Sequence, residues 1–319
     1  MTGTADPHRV LLLGATGTIG RATARALQDA GFGVVALARP GSAALPGCRM
    51  VEGQVTEPAD VAAVMRAVRP GAVVSCLASR TGAPRDAWAV DHAAQSLALR
   101  EAVAAGARRF VLLSAICVQK PKLAFQRAKL AFEAELMAAP LTWTIVRPTA
   151  YFKSLSGQVQ RVREGRSFLV FGDGRLTACK PISDADLARF LASCLTNEAR
   201  ANRILPIGGP GPAITNLDQA AMLERLLGRR VPIRHLPVAL MDAVIGALSL
   251  GGLVSGRLAA KAQLARIGRY YATESMLVWD GTRYDAEATP EFGSDRLEDH
   301  YAALLRGEVA DDRGAHSVF

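Results

Sequence analysis

Most of the features that place a protein at first sight are missing from this 319-residue chain. Its five cysteines (Cys48, Cys76, Cys117, Cys179, Cys194) are scattered, with no C-x-x-C pair. An odd, dispersed set of this kind excludes a disulfide framework, a zinc site and an iron–sulfur cluster, and fits a reducing cytoplasm. His8, His92, His235, His300 and His316 show no ligand spacing, so no protein-bound metal is expected. Aromatic residues make up 6% of the chain, and no aromatic-rich basic strand or helix-turn-helix pattern accompanies the net charge of +9. That charge therefore points to anionic small molecules rather than to nucleic acid. Long apolar runs are also lacking. The nearest, "VALMDAVIGALSLGGLVSG" (Val238 to Gly256), carries Asp242 and several glycines and falls short of the ~20 clean residues that cross a bilayer. A buried or amphipathic helix is expected there, with contact to a membrane surface or a greasy ligand as the alternative. "MTGTADPHRV" resembles no targeting signal, and internal repeats are absent.

What is present is an alternation. Apolar strand-like runs (Arg9–Leu13, Gly33–Ala38, Arg49–Glu52, Ala72–Cys76, Arg109–Ser114, Thr142–Val146) are separated by helix-like segments (Ile19–Ala30, Pro58–Val68, Asp86–Ala105, Pro121–Ala139). This predicts βαβ units in a Rossmann-type, doubly wound parallel α/β sheet whose strands are covered on both faces. After "RPTAYF" the rhythm loosens. The expectation is a dinucleotide-binding domain over residues 1–150 and a smaller α+β substrate lobe over 151–319, interleaved with the first.

The chemistry-bearing stretches lie at the carboxyl ends of those strands, where open α/β sheets bind ligands. In "VLLLGATGTIGRATARAL", Gly14, Gly17 and Gly20 allow a tight turn and a close approach of backbone N–H groups to a pyrophosphate. Thr16, Thr18 and Ile19 complete that loop, and the hydroxyls add donors. Arg39 follows the second strand, about twenty residues beyond the glycines, where an acidic residue would select NAD; an arginine suits the 2′-phosphate of NADPH. Cys76, Leu77, Ala78 and Ser79 end the fourth strand and should line the cofactor. Ser114 ends the fifth strand, either facing the cleft or bonded to backbone, with Cys117 close behind it. Pro148 and Tyr151 follow the sixth.

"LAFQRAKLAFEAEL" poses the sharpest question. As a helix it sets Phe125 four residues before Lys129, in the place where common short-chain dehydrogenase/reductases carry Tyr-x-x-x-Lys. Lys129 in that register points to the nicotinamide ribose hydroxyls; the proton-handling phenol is missing.

With these residues placed, the chain resembles an atypical short-chain dehydrogenase/reductase and, more narrowly, the 3,8-divinyl (proto)chlorophyllide 8-vinyl reductases. "GATGTIGRA", "SCLASRTG", "LLSAICVQKPKLAFQRAKLAFE", "WTIVRPTAYFKSLSGQV", "FGDGRLTACKPISDADLA" and "YYATESMLV" carry the resemblance, from about Arg9 to about Leu305. It implies NADPH as cofactor and a divinyl chlorophyllide or protochlorophyllide as substrate. It also implies reduction of a vinyl group in a cytoplasmic protein that can touch a photosynthetic membrane. That family too reads Phe-x-x-x-Lys, which suits a substrate with no hydroxyl proton to remove. On this reading Lys129 and Tyr151 are the catalytic candidates. Cys117, Phe152 and Lys153 face the substrate, and basic residues such as Lys153, Arg161 or Lys180 meet its propionate. The alternative is a non-catalytic NADP(H)-sensing regulator of the same superfamily.

Overall fold

The computed structural model describes residues 5–309; His316 and the first residues of "MTGTADPHRV" lie outside the described residues. Six strands form the body of one sheet: β1 (Asp6–Leu13), β2 (Gly33–Ala38), β3 (Arg49–Glu52), β4 (Pro70–Ser75), β5 (Arg109–Leu113) and β6 (Thr142–Pro148). Their order is β3-β2-β1-β4-β5-β6, all neighbours parallel, and Arg203–Ile207 adds a seventh strand beside β6. The order reverses between β1 and β4, which makes the gap beyond their carboxyl ends the switch point of a doubly wound sheet.

The strands read as continuous apolar runs because both faces are covered. Leu11, Leu13, Val35, Val73, Phe110, Leu112 and Ile145 are all buried in one cluster with Phe132. The Phe110 and Phe132 rings meet at 5.9 Å in a tilted pair. On the flanks, α1 (Thr18–Asp29) buries Gly20, Thr23, Ala24 and Leu27, and α2 (Pro58–Val68) buries Val61, Val64, Met65 and Val68. The spacing of three and four in each set is that of a helix with one apolar stripe. Pro58 opens α2, where its missing N–H costs nothing.

One expected helix differs. Asp86–Ala105 reads as a single segment in the sequence, but the chain forms a short turn at Pro84–Ala87, a π-helical stretch at Trp88–Ala94 and an α-helix over Gln95–Ala104. A π-helical insertion shifts the phase of the side chains that follow it. Here it accompanies a carboxylate, Asp91, that is 1% exposed.

The chain divides into two compact units. The first takes residues up to Ser79, Pro84–Pro148 and Asp184–Pro206; the second takes Arg80–Ala83, Thr149–Ser183 and the chain from Ile207 onward. Within the first, the returning helix Asp184–Ser193 packs on α1. The second has its own core of Phe152, Val162, Phe168, Val170, Leu223 and Tyr301. Tyr301 is fully buried, and its hydroxyl donates to the Leu155 carbonyl at 2.7 Å; burial pushes its phenol far above the ordinary value. Phe168–Phe171 pairs in parallel with Ile233–Leu236, and Thr215 caps the helix Asn216–Leu227 reciprocally with Asp218.

The segment expected to be a buried or amphipathic helix is not buried; Met241, Ile245 and Leu248 are half-buried, and Leu240, Asp242 and Val244 are exposed. Val238–Gly251 is helical, stops five residues short of Gly256, and buries none of its side chains. Among the described residues no helix is long and apolar enough to cross a membrane.

The turn between β1 and α1 is where the first unit is least forgiving. A Cβ on Gly20 would stand 2.1 Å from the Gly14 carbonyl oxygen, and the obstacle is backbone. Gly20→Ala should therefore destabilise the protein by about 1–3 kcal/mol, the usual cost of overpacking, measured as a lowered urea midpoint.

Candidate dinucleotide site

Gly14 leaves β1 with a φ of +73°, the left-handed region that favours glycine. A Cβ on it would lie 2.7 Å from the carbonyl carbon and oxygen of Cys76, at the end of β4. Gly14 and Gly20 are thus demanded by the fold. Gly17 is different. Its φ is −73°, it is exposed, and a Cβ there would make only an ordinary 3.5 Å contact with the Gly14 oxygen. Nothing in the protein requires glycine at 17, so the residue is open to something outside the protein. Gly17 also caps α1 without a side-chain acceptor, and the first turn of the helix holds no acidic residue. The positive end of the helix dipole at that turn suits an anion. Thr16 and Ile19 are half-buried beside Gly17, Thr18 is exposed, and Arg21 ties the loop down by donating from Nε to the Thr16 carbonyl at 2.9 Å.

Arg39 stands exposed immediately after β2, and none of the ion pairs among the described residues uses it. After β4, Leu77 is buried and Ala78 exposed. The Cys76 thiol donates to Thr23 Oγ1 at 3.7 Å. Burial pushes that thiol up to about 12, against the opposing pulls of Thr23 and the Lys129 charge, so Cys76 stays protonated and is a poor nucleophile.

Lys129 is no solvated surface lysine. It is 8% exposed, on the helix Ala124–Met137, and its Nζ lies 3.0 Å from Asp91 Oδ1. The same carboxylate oxygen accepts from the Ser79 backbone N–H at 3.3 Å. One carboxylate thus ties the π-helical stretch, the end of β4 and the lysine-bearing helix together. An ammonium carries three donors, and Asp91 takes one; the others have no partner among the described residues. Asp91 Oδ2 is buried and equally without one. Donors and an acceptor left over in a buried pair suit a ligand rich in hydroxyls.

Ser114 has a side-chain partner that its place along the chain did not reveal. Its hydroxyl neither caps backbone nor stands free: it donates to Glu133 Oε1. Glu133, 1% exposed, also takes the Arg147 guanidinium, with Nε at 3.2 Å from Oε1. The serine is part of a bridge joining β5, the helix Ala124–Met137 and β6. Pro148 is buried at the end of β6, and Cys117 is 4% exposed. Phe125 is half-buried near the start of its helix.

Tyr151, Phe152 and Lys153 belong to the second unit. Tyr151 is half-buried and bridges to Ile182; Lys153 is half-buried as well. Phe152 departs from its expected place against a substrate. It is 5% exposed and its ring lies 5.6 Å from that of His300, inside the second core. Lys180 is also committed elsewhere, held 2.5 Å from Glu291 Oε1, and Arg161 donates from Nε to the Ser167 carbonyl.

Asp91, Glu133 and Arg147 were not singled out in the sequence. Glu133 had a signal, standing one helical turn after Lys129 on the same face. Asp91 had none, because its importance comes from a π-helical turn that periodicity does not show.

A glycine-cradled helix N-terminus at the switch point of a parallel sheet, with a buried lysine nearby, defines a nicotinamide-dinucleotide-binding protein of the short-chain dehydrogenase/reductase class. The NAD(P)H-binding family matches residues 14–198, more than half of the chain. Divinyl chlorophyllide a 8-vinyl-reductase of Oryza sativa subsp. indica is 47% identical over 97% of this chain and 82% of its own length; that of Arabidopsis thaliana is 44% identical over 97% and 80%. The chain belongs to the divinyl chlorophyllide a 8-vinyl-reductase family. Among solved structures, the NADPH-dependent quinone oxidoreductase QOR2 of Escherichia coli, complexed with NADPH, shares the fold at a TM-score of 0.68. It is 18% identical over 93% of this chain and 99% of its own.

Because Gly17 is free of the fold's demands, Gly17→Val should fold with an unchanged melting temperature and bind NADPH at least tenfold more weakly, as seen by fluorescence titration. Normal binding by the folded variant would misplace the pyrophosphate.

Proposed function

We propose that the protein reduces the 8-vinyl group of a divinyl chlorophyllide or protochlorophyllide to ethyl, with NADPH as reductant. The observation that carries the reading is the extent of the likeness. Close relatives bearing this activity in their names match 97% of the chain, so both units are covered and not the cofactor-binding half alone. When bound, NADPH supplies the hydride that adds to the terminal vinyl carbon. A proton from the protein or from water completes the ethyl group.

Each residue then has a definable task. Gly17 and the first turn of α1 hold the pyrophosphate, and Thr16, Thr18 and Ile19 shape the loop around it. Arg39 meets the 2′-phosphate through a charge-assisted contact. Leu77, Ala78 and Ser79 border the cofactor through backbone. Lys129, held by Asp91, turns its remaining N–H donors to the ribose hydroxyls and fixes the nicotinamide end. Phe125 is consistent with a carbon substrate, since no alcohol proton has to be moved at that position. Cys117 and Lys153 contact the pigment, and Tyr151 is the proposed proton donor.

A direct test is to incubate the purified protein with NADPH and each divinyl pigment and to separate the products by chromatography. Appearance of the 8-ethyl pigment in step with NADPH oxidation supports the reading; binding of NADPH without conversion would favour a non-catalytic sensor. Arg39→Asp removes one charge-assisted contact and adds a repulsion. It should weaken NADPH by about 2–4 kcal/mol while affecting NADH far less, read from the two Kd values.

Tyr151→Phe should lower kcat by about 10²–10⁴ with little change in NADPH affinity. Lys129→Ala should lower both. A Tyr151→Phe enzyme with full kcat under conditions where chemistry limits turnover would pass the donor role to water or Lys129.

A further inference from the structure

The helix Val238–Gly251 and the helix that follows it, Gly256–Thr273, pack on each other as a hairpin within the second unit. The activity proposed above gives this hairpin no task. The most exposed large apolar side chains of the described residues are at its turn: Leu250 at 72%, Leu253 at 83% and Val254 at 90%. Leu240 and Val244, also exposed, lie one turn apart on the first helix. The turn closes tightly because Gly252 lets it approach the second helix, where a Cβ would come within 3.1 Å of the Ala259 Cα.

Charge and backbone point to what this tip enters. Between residues 243 and 268 there is no acidic residue, while Arg257, Lys261 and Arg266 add three positive charges. The carboxylate nearest the base of the hairpin, Asp242, is already paired with Arg269. Arg257 and Lys261 are exposed, lie just behind the apolar tip and take part in no ion pair among the described residues. In the turn itself, the N–H of Gly252 donates to Leu248, that of Leu253 to Leu250 and that of Val254 to Gly251, at 2.9, 3.2 and 3.3 Å. Backbone donors satisfied within the segment remove the main cost of placing it in hydrocarbon. A helix of 14 residues reaches only about 21 Å, short of the ~30 Å apolar core, so the hairpin enters one leaflet and does not cross.

We infer that the tip Leu250–Val254 is a membrane-docking element that seats in the surface of an anionic bilayer, with Arg257 and Lys261 at the headgroups. A second copy of the chain is the weaker occupant, because a like-with-like contact at this tip would bring the same cations together. Apolar insertion and cationic attraction are the two signals that together hold a peripheral protein on a membrane.

The test is flotation of the full chain with vesicles of phosphatidylcholine alone and of phosphatidylcholine mixed with phosphatidylglycerol. The protein should float with the anionic vesicles only and be released by salt. The double variant L253S/V254S should lose at least tenfold in vesicle affinity, and R257Q/K261Q about fivefold per cation. Both should bind NADPH as the parent does, which shows that they are folded. A tryptophan placed by L253W should emit at shorter wavelength on anionic vesicles. Failure to float, flotation undiminished in L253S/V254S, or a lipid-free dimer that this variant dissolves would each overturn the proposal.

Discussion

A lysine that is 8% exposed needs a carboxylate at its side, and the architecture of the first unit is arranged to bring one there. Asp91 reaches Lys129 at 3.0 Å from a π-helical stretch, and the same oxygen takes the Ser79 N–H where the chain leaves β4. A buried charge pair of this kind contributes little net stability, since desolvation offsets the attraction. What it fixes is position. With Asp91 held, the lysine helix, the π-helical stretch and the strand end share one point of attachment, and the unused donors of Lys129 are held in place rather than left to wander. The Ser114–Glu133–Arg147 bridge does the same for β5 and β6 on the next turn of the helix. Two adjacent acid–base links therefore register one helix against three strand ends.

Much of this was legible in the sequence, for reasons that differ by element. Strands buried on both faces declare themselves as unbroken apolar runs, so β2 and β3 fall on the expected residues and β1, β4, β5 and β6 within a few. The glycine loop was equally plain, although residue spacing could not separate the glycines needed for close packing, Gly14 and Gly20, from the one left open, Gly17. That distinction needs the backbone of Cys76 and of Ala15 in view. Pairing was the least legible feature. Ser114, Phe152 and Lys180 were read by position along the chain, while their contacts are set by Glu133, the second core and Glu291. Those partners lie as far as 148 and 111 residues away in sequence for the last two. Val238–Gly251 is not buried as one of its readings had it, because composition carries no information about how many neighbours cover a helix, and here one helix, Gly256–Thr273, covers one face.

The absent tyrosine takes on a different meaning beside the buried lysine. Lys129, four residues after Phe125 on the same helix, is buried together with its carboxylate partner Asp91. The pair persists, with donors to spare, on a helix that keeps the register of the reductase class. Beside Phe125, that pair fits the proposed task of orienting a dinucleotide, and reduction of a vinyl group leaves no alkoxide for a phenol to protonate.

The route of the chain has a consequence for synthesis. The helix Asp184–Ser193, which packs on α1, and the edge strand beside β6 are made only after Thr149–Ser183, a segment of the other unit. A ribosome that has extruded the glycine loop and six strands has still not released the parts that finish the same unit. Until Ser193 emerges, the α1 surface destined for that helix is open to solvent, and a nascent chain in this condition is a natural client for a holding chaperone. Vectorial folding is therefore delayed by the excursion, and no single cut point yields either unit whole.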